Sequence, residues 1–215
     1  MQGLRVLHVT PYAGDAWAYG GIPRVSDALA RGLAARGHHV TLCTTDVCDA
    51  QRRLERPSRR DAVDVHIFPN LSNRLAYDWQ LFMPIGLSAY LRRHRRDFDI
   101  AHLHACRNLP GVIAARQMQQ AGVPYVLAPH GTAPILERRR AAKRLFDALA
   151  GTRVLRGAAR VLAVTHAERR QLEREGVAPE RIAVVPNPLT LSEFDPPPAR
   201  GAIRRRLGVD GPLIV

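Results

Sequence analysis

The sequence is poor in the residues and patterns that mark several common classes of protein. Only 6% of its residues are aromatic, and no stacking platform for nucleic-acid bases interleaves with its arginine clusters. It has three cysteines, Cys43, Cys48 and Cys106, without CxxC or metal-ligand spacing. It contains no run of about 18 uncharged apolar residues, and its first residues begin a strand pattern instead of a signal-peptide core. These absences argue against a nucleic-acid-binding, disulfide-rich secreted or membrane-spanning protein, and we expect a cytoplasmic location with packed free thiols.

A motif for metal binding is also lacking. Asp97-Phe98-Asp99 has the spacing of an Asp-x-Asp motif, but it directly precedes a strand pattern. We interpret both aspartates as structural, and we predict neither a metal site nor a cofactor.

Positive charge is abundant. The formal net charge is +13, and Lys143 is the only lysine, so arginine supplies nearly all of it. Such an excess indicates an anionic partner, which would be a phosphate-bearing substrate, a phospholipid surface or a nucleic acid. An arginine-rich composition also produces charge without any partner, so charge alone does not decide the function.

Short apolar runs and helical patterns alternate along the chain. Predicted strands lie at 4–9, 39–44, 63–68, 99–104, 124–128, 159–164 and 181–185, and predicted helices at 22–36, 84–95, 109–121, 135–150 and 165–176. This alternation predicts an α/β fold, a doubly wound parallel sheet with helices on both faces. Ligands of such sheets bind beyond the carboxyl ends of the strands, where the strand order reverses. The loops at 10–21, 104–108, 128–134 and 186–190 are therefore the candidate sites.

The pattern changes after residue 195. Three prolines are followed by a short basic helix pattern at 199–207, a turn, and the apolar run Leu213-Ile214-Val215, which is typical of a buried strand. We expect residues 1–195 to form one domain, and 196–215 to be a linker and the first strand of a second domain.

The first candidate loop carries Gly20-Gly21 at the start of a helix, followed by Arg24. Free backbone amides and the helix dipole at such a position favour a phosphate or carboxylate group. The alternative is a plain turn into the helix, and the pattern is neither GxGxxG nor a phosphate loop with GK[ST].

Two further candidate loops carry histidines. His102 and His104 share one face of a predicted strand, and His104 lies at its carboxyl end. His130-Gly131-Thr132 directly follows the next strand. For either histidine alone a structural role is the favoured interpretation. The convergence of three polar loops at one sheet edge favours an active site instead. We expect His104 to be functional and His102 to belong to the core.

Taken in order, these segments resemble a known enzyme family. Gly20-Gly21, the Asp99–His104 strand, Pro124–Gly131 and Arg181–Asn187 are similar to the family 4 retaining glycosyltransferases, which have the GT-B fold of two Rossmann-like domains facing a cleft. The resemblance implies an N-terminal, acceptor-side domain and a nucleotide-sugar donor as substrate, transferred with retention to a glycan or lipid-linked acceptor.

The resemblance also implies roles for residues. Gly20, Gly21 and Arg24 would lie near the donor diphosphate and acceptor, His104 would be catalytic near the transferred sugar, and the cleft would be lined by His130, Gly131, Thr132 and Asn187. Pro188 stands where the family more often has glycine, so the turn after Asn187 differs. The family's carboxylate-rich, nucleotide-gripping motif belongs to the second domain.

The segment from residue 135 to residue 160 is basic and amphipathic. Its eight basic residues include Arg138, Arg139, Arg140, Lys143 and Arg144, and Ile135, Ala142, Leu145, Phe146 and Leu149 recur at helical spacing. One interpretation is a surface helix whose apolar residues face the core. The other is adsorption on the anionic inner face of the cytoplasmic membrane, where each basic residue contributes about 1 kcal/mol.

Three functions remain open from the sequence. The first is half of a sugar transferase, inactive without its donor domain. The second is a basic module that binds membrane or nucleic acid without catalysis. The third is a nucleotide-sugar epimerase or a phosphorylase on the same fold.

Overall fold

A computed structural model describes residues 3–12, 14, 16–54, 59–60, 62–133, 140–191, 195–197, 199–209 and 211. Its strands are β1 Arg5–Val9, β2 His39–Thr45, β3 Arg59–Arg60, β4 Val63–Phe68, β5 Ile100–His104, β6 Tyr125–Ala128, β7 Arg160–Ala163 and β8 Ile182–Val184. They form one sheet in the order β3-β4-β2-β1-β5-β6-β7-β8. All neighbours pair in parallel except the two-residue strand β3, which is antiparallel to β4. The seven predicted strands and the parallel sheet are confirmed.

The strand order reverses between β1 and β5. The chain runs outward from β1 through β2 to β4, then returns to place β5 on the other side of β1. In this central pair His8 lies opposite His102 in register. Ligand sites of doubly wound sheets form beyond such a reversal, so β1 and β5 mark the expected site.

Helices cover both faces of the sheet. They are α1 Ile22–Ala34, α2 Asn73–Trp79, α3 Leu87–His94, α4 Leu109–Ala121, α5 Arg140–Phe146, α6 Thr152–Gly157, α7 His166–Arg174 and α8 Ala202–Leu207. Alternation along β1 sets the two cores: Val6 packs in a cluster with Ala30 of α1, whereas Leu7 packs with Leu91 of α3 and Met118 of α4. The predicted helices at 22–36, 109–121 and 165–176 are confirmed within a few residues, and the one predicted at 84–95 begins at Leu87.

The sequence did not predict α2. Ser72 caps this helix by accepting a hydrogen bond from the backbone nitrogen of Leu75 at 3.3 Å, and the helix ends at Gln80 in a left-handed conformation. Two turns are too short for a clear helical periodicity, which is why the pattern looked like a loop.

The basic segment departs from one regular helix. A π turn at Asp147–Gly151 joins α5 to α6. The interpretation that its apolar residues face the core is wrong for two of them, since Leu145 and Leu149 are 62% and 67% exposed. Arg144 is exposed beside them. Arg138 and Arg139 lie outside the described residues, and the structure describes only the backbone of Arg140 and Lys143.

The structure also bears on the predictions for the two aspartates before β5 and for the cysteines. Asp99 accepts a hydrogen bond from the backbone nitrogen of Arg5 at 2.7 Å, and Asp97 pairs with His94 at 2.9 Å, so both aspartates have structural partners. All three cysteines are free thiols. Within the described part of the chain, no helix is long and apolar enough to cross a bilayer. The predicted strand at Leu213–Val215 lies outside the described residues.

Candidate active site

A chain of histidines lies where the strand order reverses. His8 of β1 and His104 of β5 are fully buried, His102 is nearly so, and His130 in the loop after β6 is partly exposed. Nδ1 of His8 lies 3.0 Å from Nε2 of His104, and Nδ1 of His104 lies 3.1 Å from Nε2 of His130. The rings also stack, with centroids 4.1 Å apart for His102 and His104 and 5.4 Å apart for His104 and His130. The hydrogen bonds therefore connect the centre of the sheet to its carboxyl edge.

Burial keeps these imidazoles neutral. It lowers the pKa of His8 from the usual 6.5 to about 4. Burial and the neighbouring histidines hold the pKa of His102 and His104 well below the usual value. The pKa of His130 is lowered by burial, although Glu168 and the side chain of Asn187 act in the opposite direction. At neutral pH each ring thus carries one N–H donor and one acceptor nitrogen.

The loop that carries His130 has a strained backbone. His130 has φ 51° and Gly131 has φ 77°, which places two successive residues in the left-handed region. This conformation is energetically unfavourable for a residue with a side chain, and such residues persist only where surrounding contacts hold them. Glycine at 131 is needed because a second side chain would add to the strain.

Glu168 holds this loop in place. Its carboxylate is buried and accepts hydrogen bonds from the backbone nitrogens of Gly131 at 2.6 Å and Val164 at 2.7 Å. Thr165 and Glu168 have the spacing of a capping box at the start of α7. Only half of it forms, because Thr165 Oγ1 accepts from the Glu168 backbone at 3.1 Å while the carboxylate is used on the loops.

Thr132 joins the same loop to the one after β5. Its hydroxyl donates to the carbonyl of Pro129 at 2.6 Å and accepts from the backbone nitrogen of Cys106 at 2.8 Å. Arg107 donates to the carbonyl of Thr132 at 2.7 Å and makes a bidentate ion pair with Asp147, whose closest contact is 2.7 Å. Burial raises the pKa of the Cys106 thiol to about 12, so it stays protonated and is a poor nucleophile.

The glycine loop lies at the same edge on the other side of β5. Gly20 has φ 84°, Gly21 is the N-cap of α1, and both are exposed with open space where a side chain would stand. The N-terminal amides of α1 therefore lie next to an open loop, and a phosphate group needs such space to reach them. Arg24 is exposed in the first turn of this helix.

The structure changes the order of the predicted site residues. His104, predicted to be the histidine that faces the ligand, is fully buried, and both of its ring nitrogens are hydrogen-bonded to other histidines. His130 is the more exposed residue, although its Nδ1 is buried, and it lies next to exposed Gly131 and Asn187. The expectation that His102 belongs to the core agrees with its burial. Position at the carboxyl end of β5 did not reveal that His104 is buried between His8 and His130.

Sequence reasoning missed two residues of this arrangement. His8 was counted only as part of the first strand, and Glu168 only as a helix cap. The available signal for His8 was a polar residue within an apolar central strand. For Glu168 the sequence held no signal, because its partner Gly131 lies 37 residues away.

Among the described residues, one group of side chains could hold a metal ion, and it belongs to this histidine cluster. Donor atoms of His8, His102 and His104 lie within 4.8 Å of one another. However, one ring nitrogen of His8 and one of His104 already take part in the hydrogen bond between these two residues. The arrangement is that of a hydrogen-bonded imidazole chain, and its chemistry follows from the placement of protons.

Comparison with known proteins places this geometry in a family. Curated relatives include the D-inositol 3-phosphate glycosyltransferases of Kineococcus radiotolerans, 32% identical over 94% of the chain, and of Acidothermus cellulolyticus, 29% identical over 95%. The chain spans about half of their lengths, 48% and 47%. Among solved structures, HepE (Alr3699) of Anabaena, determined with UDP and glucose, matches with a TM-score of 0.63 at 18% identity, over 95% of this chain and 50% of that one. This match shows a shared fold. The model of the glycosyl transferase 4-like domain covers residues 20–188, and the chain therefore belongs to that family.

Proposed function

We propose that the chain is the acceptor-side half of a retaining glycosyltransferase, which moves a sugar from a nucleotide-sugar donor to a glycan or lipid-linked acceptor. The observation that carries this proposal is the strained His130–Gly131 loop, held by Glu168 and joined to buried histidines at the point where the strand order reverses. Strain of this kind is maintained at functional sites. Family membership supports the same chemistry.

The donor diphosphate is assigned to the loop of Gly20 and Gly21. When the sugar leaves, the bond from its anomeric carbon to the diphosphate breaks and negative charge develops on the departing oxygen. The α1 amides and the guanidinium of Arg24 suit that charge, because fixed dipoles and cations stabilise it without reorganising. A donor carrying uridine diphosphate is the first to test, since the Anabaena protein of the same fold was solved with UDP.

Contact with the transferred sugar is assigned to His130 in place of His104. His130 is partly exposed at the edge beside Asn187, whereas His104 reaches that edge only through His130. His104 then acts indirectly, by holding the His130 ring. Gly131, Thr132 and Asn187 stay as predicted lining of the cleft.

The acceptor is the least specified partner. The curated relatives are named for D-inositol 3-phosphate, so this compound should be tested as an acceptor together with glycans and lipid-linked sugars. The exposed pair Leu145 and Leu149 beside Arg144 favours a further property, attachment to an anionic membrane surface where a lipid-linked acceptor would lie. Peripheral location on the inner face of the membrane is part of the proposal.

The division of the chain supplies the experiment. We propose residues 1–195 as the acceptor domain and 196–215 as the link to a donor domain. The 215-residue chain alone should release no UDP from UDP-sugars above the level of its His130→Ala variant. A fusion to the C-terminal half of the Kineococcus relative should release UDP when an acceptor is present, and His130→Ala in that fusion should lower the rate of release by about tenfold or more. Turnover by the chain alone would contradict the two-domain account.

A further inference from the structure

The strained loop of His130 and Gly131 is a tight turn. The backbone nitrogen of Thr132 donates to the carbonyl of Pro129 at 3.1 Å, and both central residues have positive φ, as in a type I′ turn. Turns of this type favour asparagine and glycine at the centre, so a histidine there makes the turn depend on contacts from outside. The groups that supply those contacts determine where the turn lies at the sheet edge.

Arg107 contacts both this turn and the basic segment with one guanidinium group. Its Nη1 donates to the carbonyl of Thr132 at 2.7 Å, while its Nε and Nη2 donate to the carboxylate of Asp147 at 3.0 Å and 2.7 Å. Asp147 begins the π turn of the basic segment. The side chains of Arg107 and Asp147 are only 12% and 23% exposed, so water and salt screen this pair less than a surface ion pair.

The backbone that carries Arg107 is itself held in place. Ala105 and Arg107 have φ of 63° and 55°, so the loop after β5 is strained as well. Nδ2 of Asn108 donates to the carbonyl of Ala105 at 3.0 Å, and its Oδ1 accepts from the backbone nitrogen of Gly111 at 2.7 Å in the first turn of α4. These bonds anchor the loop to α4, so Arg107 reaches the turn from a fixed position.

Packing is incomplete between the basic segment and these loops. A cavity of about 80 Å³ lies beside the ion pair, and its lining includes Cys106, Asp147 and Leu155. Side chains that border an unfilled space lack the contacts that would fix their separation. The polar contacts of Arg107 therefore determine how the segment and the turn are placed relative to each other.

From these contacts we infer that Arg107 is a positioning residue for the sugar transfer. It holds the turn of residues 129–132 by donating to Thr132, and Asp147 orients the guanidinium group that does so. Arginine suits this role because its planar group makes both contacts at once, which a lysine ammonium cannot do with the same geometry. The inference rests on the proposed function, since this turn carries residues assigned to the cleft. Arg107 acts through the turn and is assigned no contact with the substrate.

The turn can be observed without any activity. The amide of Gly131 donates to the carboxylate of Glu168 at 2.6 Å, so its hydrogen exchange reports how firmly the turn is held. The 215-residue chain has 16 glycines, and labelling with ¹⁵N-glycine gives a spectrum in which each can be followed. The Gly131 signal is identified as the one lost in Gly131→Asn, because asparagine tolerates a left-handed backbone.

Arg107→Asn removes the guanidinium group, while asparagine still suits the left-handed backbone at this position. We expect exchange at Gly131 to become at least about tenfold faster, and the acceleration at Gly32 within α1 to be at least about threefold smaller. A merely structural role would destabilise the whole domain and accelerate both glycines together. Equal acceleration at both, or no change at Gly131, would overturn the inference.

Two further variants separate the contacts of Arg107. Arg107→Lys should accelerate exchange at Gly131 almost as much as Arg107→Asn, because one ammonium group cannot bridge Thr132 and Asp147. Exchange as slow as in the unchanged protein would show that positive charge alone suffices, against the bridging role. Asp147→Asn should act in the same direction with a smaller effect, and no effect would contradict the role of Asp147. These two variants carry the test if Arg107→Asn fails to fold.

Tyr125→Phe is the matched control. It removes the hydrogen bond from the hydroxyl of Tyr125 to the carbonyl of Val154 at 2.7 Å, which ties α6 of the basic segment to β6 without contact with the turn. We expect exchange at Gly131 to change little. An acceleration as large as that of Arg107→Asn would show that any loosening of the segment disturbs the turn, and that Arg107 has no special role.

Activity supplies a separate test in the fusion described above. Arg107→Asn should lower kcat at least about fivefold with little change in the KM for the UDP-sugar, and Tyr125→Phe should leave both close to the starting values. Unchanged kcat in Arg107→Asn would refute a positioning role in the reaction. A fusion with no transferase activity in any variant would count against the proposed function, while exchange at Gly131 would still decide whether Arg107 holds the turn.

Discussion

The carboxylate of Glu168 accepts a hydrogen bond at 2.6 Å from the backbone nitrogen of Gly131, across 37 residues of chain. The bond joins the first turn of α7 to the loop after β6. Through it a residue that lies on a helix determines the conformation of a loop on the neighbouring strand. Removing the carboxylate therefore tests how strongly the strained loop depends on one distant partner.

Glu168→Gln should destabilise the protein by about 1–3 kcal/mol, because one of the two backbone N–H groups then faces an amide N–H₂ instead of an oxygen. Chemical denaturation followed by circular dichroism measures this change. Glu173→Gln is the matched control on the same helix. Its partly exposed pair with Arg169 should contribute about 0.5 kcal/mol or less. Equal effects of the two substitutions would show that Glu168 does not hold the loop.

The three histidines of β5 and its neighbouring loop should separate in kinetic measurements on the active fusion. His130→Ala should lower kcat by about tenfold or more with little loss of stability, because its ring is partly exposed. His104→Ala should lower both kcat and stability, because it leaves a buried cavity and frees the His130 ring. His102→Ala should lower stability while kcat changes little. Full activity in His130→Ala would refute the assignment of sugar contact.

Stability should fall as the solution is acidified. The pKa of His8 is about 4 in the folded state and near 6.5 when unfolded, and His102, His104 and His130 shift in the same direction. Below about pH 6.5 the unfolded chain binds more protons than the folded one, so the free energy of unfolding falls as the pH is lowered. The stabilisation is complete above pH 6.5, is lost progressively down to about pH 4 for His8, and changes by at most about 1.4 kcal/mol per pH unit for each histidine.

Denaturation curves between pH 7.5 and pH 4.5 measure this slope. His8→Phe should make it shallower, because one group with a shifted pKa is removed. His39→Phe, at an exposed position of β2, is the matched control, because it replaces a histidine outside the buried cluster. A slope identical in all three proteins would show that His8 does not titrate on unfolding.

The basic segment should bind anionic vesicles. We expect the chain to sediment with vesicles of phosphatidylglycerol and phosphatidylcholine, to remain in solution with phosphatidylcholine alone, and to be released by salt, since charges are screened over about 8–10 Å at physiological ionic strength. Replacing Arg138, Arg139, Arg140 and Arg144 with glutamine should abolish the binding and leave thermal stability nearly unchanged.

The matched control removes four exposed charges elsewhere in the chain, by changing Arg92, Arg93, Arg204 and Arg206 to glutamine. Its binding should stay close to that of the unchanged protein. Leu145→Ser with Leu149→Ser should weaken binding without affecting the charge, because both side chains are exposed. Equal loss in both arginine sets would show that total charge, and not this segment, controls adsorption.

Much of the fold was readable from local sequence. The strands Val63–Phe68 and Ile100–His104 alternate or mix apolar residues with a few polar ones, and α1 begins with Pro23 in its first turn and closes before Gly37. Alternation of such elements restricts the sheet to parallel pairing with helices on both faces. The helix α2 escaped because two turns, capped by Ser72, carry too little periodicity.

The site was only partly readable, for a physical reason. Sequence position placed His104 at the carboxyl end of β5, but His104 is fully buried and hydrogen-bonded to His8 of β1 and to His130 in the loop after β6. Likewise, the apolar residues of the basic segment have helical spacing, yet Leu145 of α5 and Leu149 of the π turn are both exposed, because periodicity alone does not decide which side of a helix packs on the sheet.

The sequence by itself determined the seven parallel strands of the sheet and that its carboxyl edge bears the polar loops, because these follow from local periodicity and from the handedness of strand–helix–strand units. It did not reveal the two-residue antiparallel strand β3. Only the tertiary structure decided that His8, His104 and His130 form one hydrogen-bonded chain and that Glu168 holds the loop of Gly131. Hydrogen bonds between residues as far apart as His8 and His104 depend on strand register and loop conformation. Those are set by the packing of the whole domain, and no local pattern encodes them.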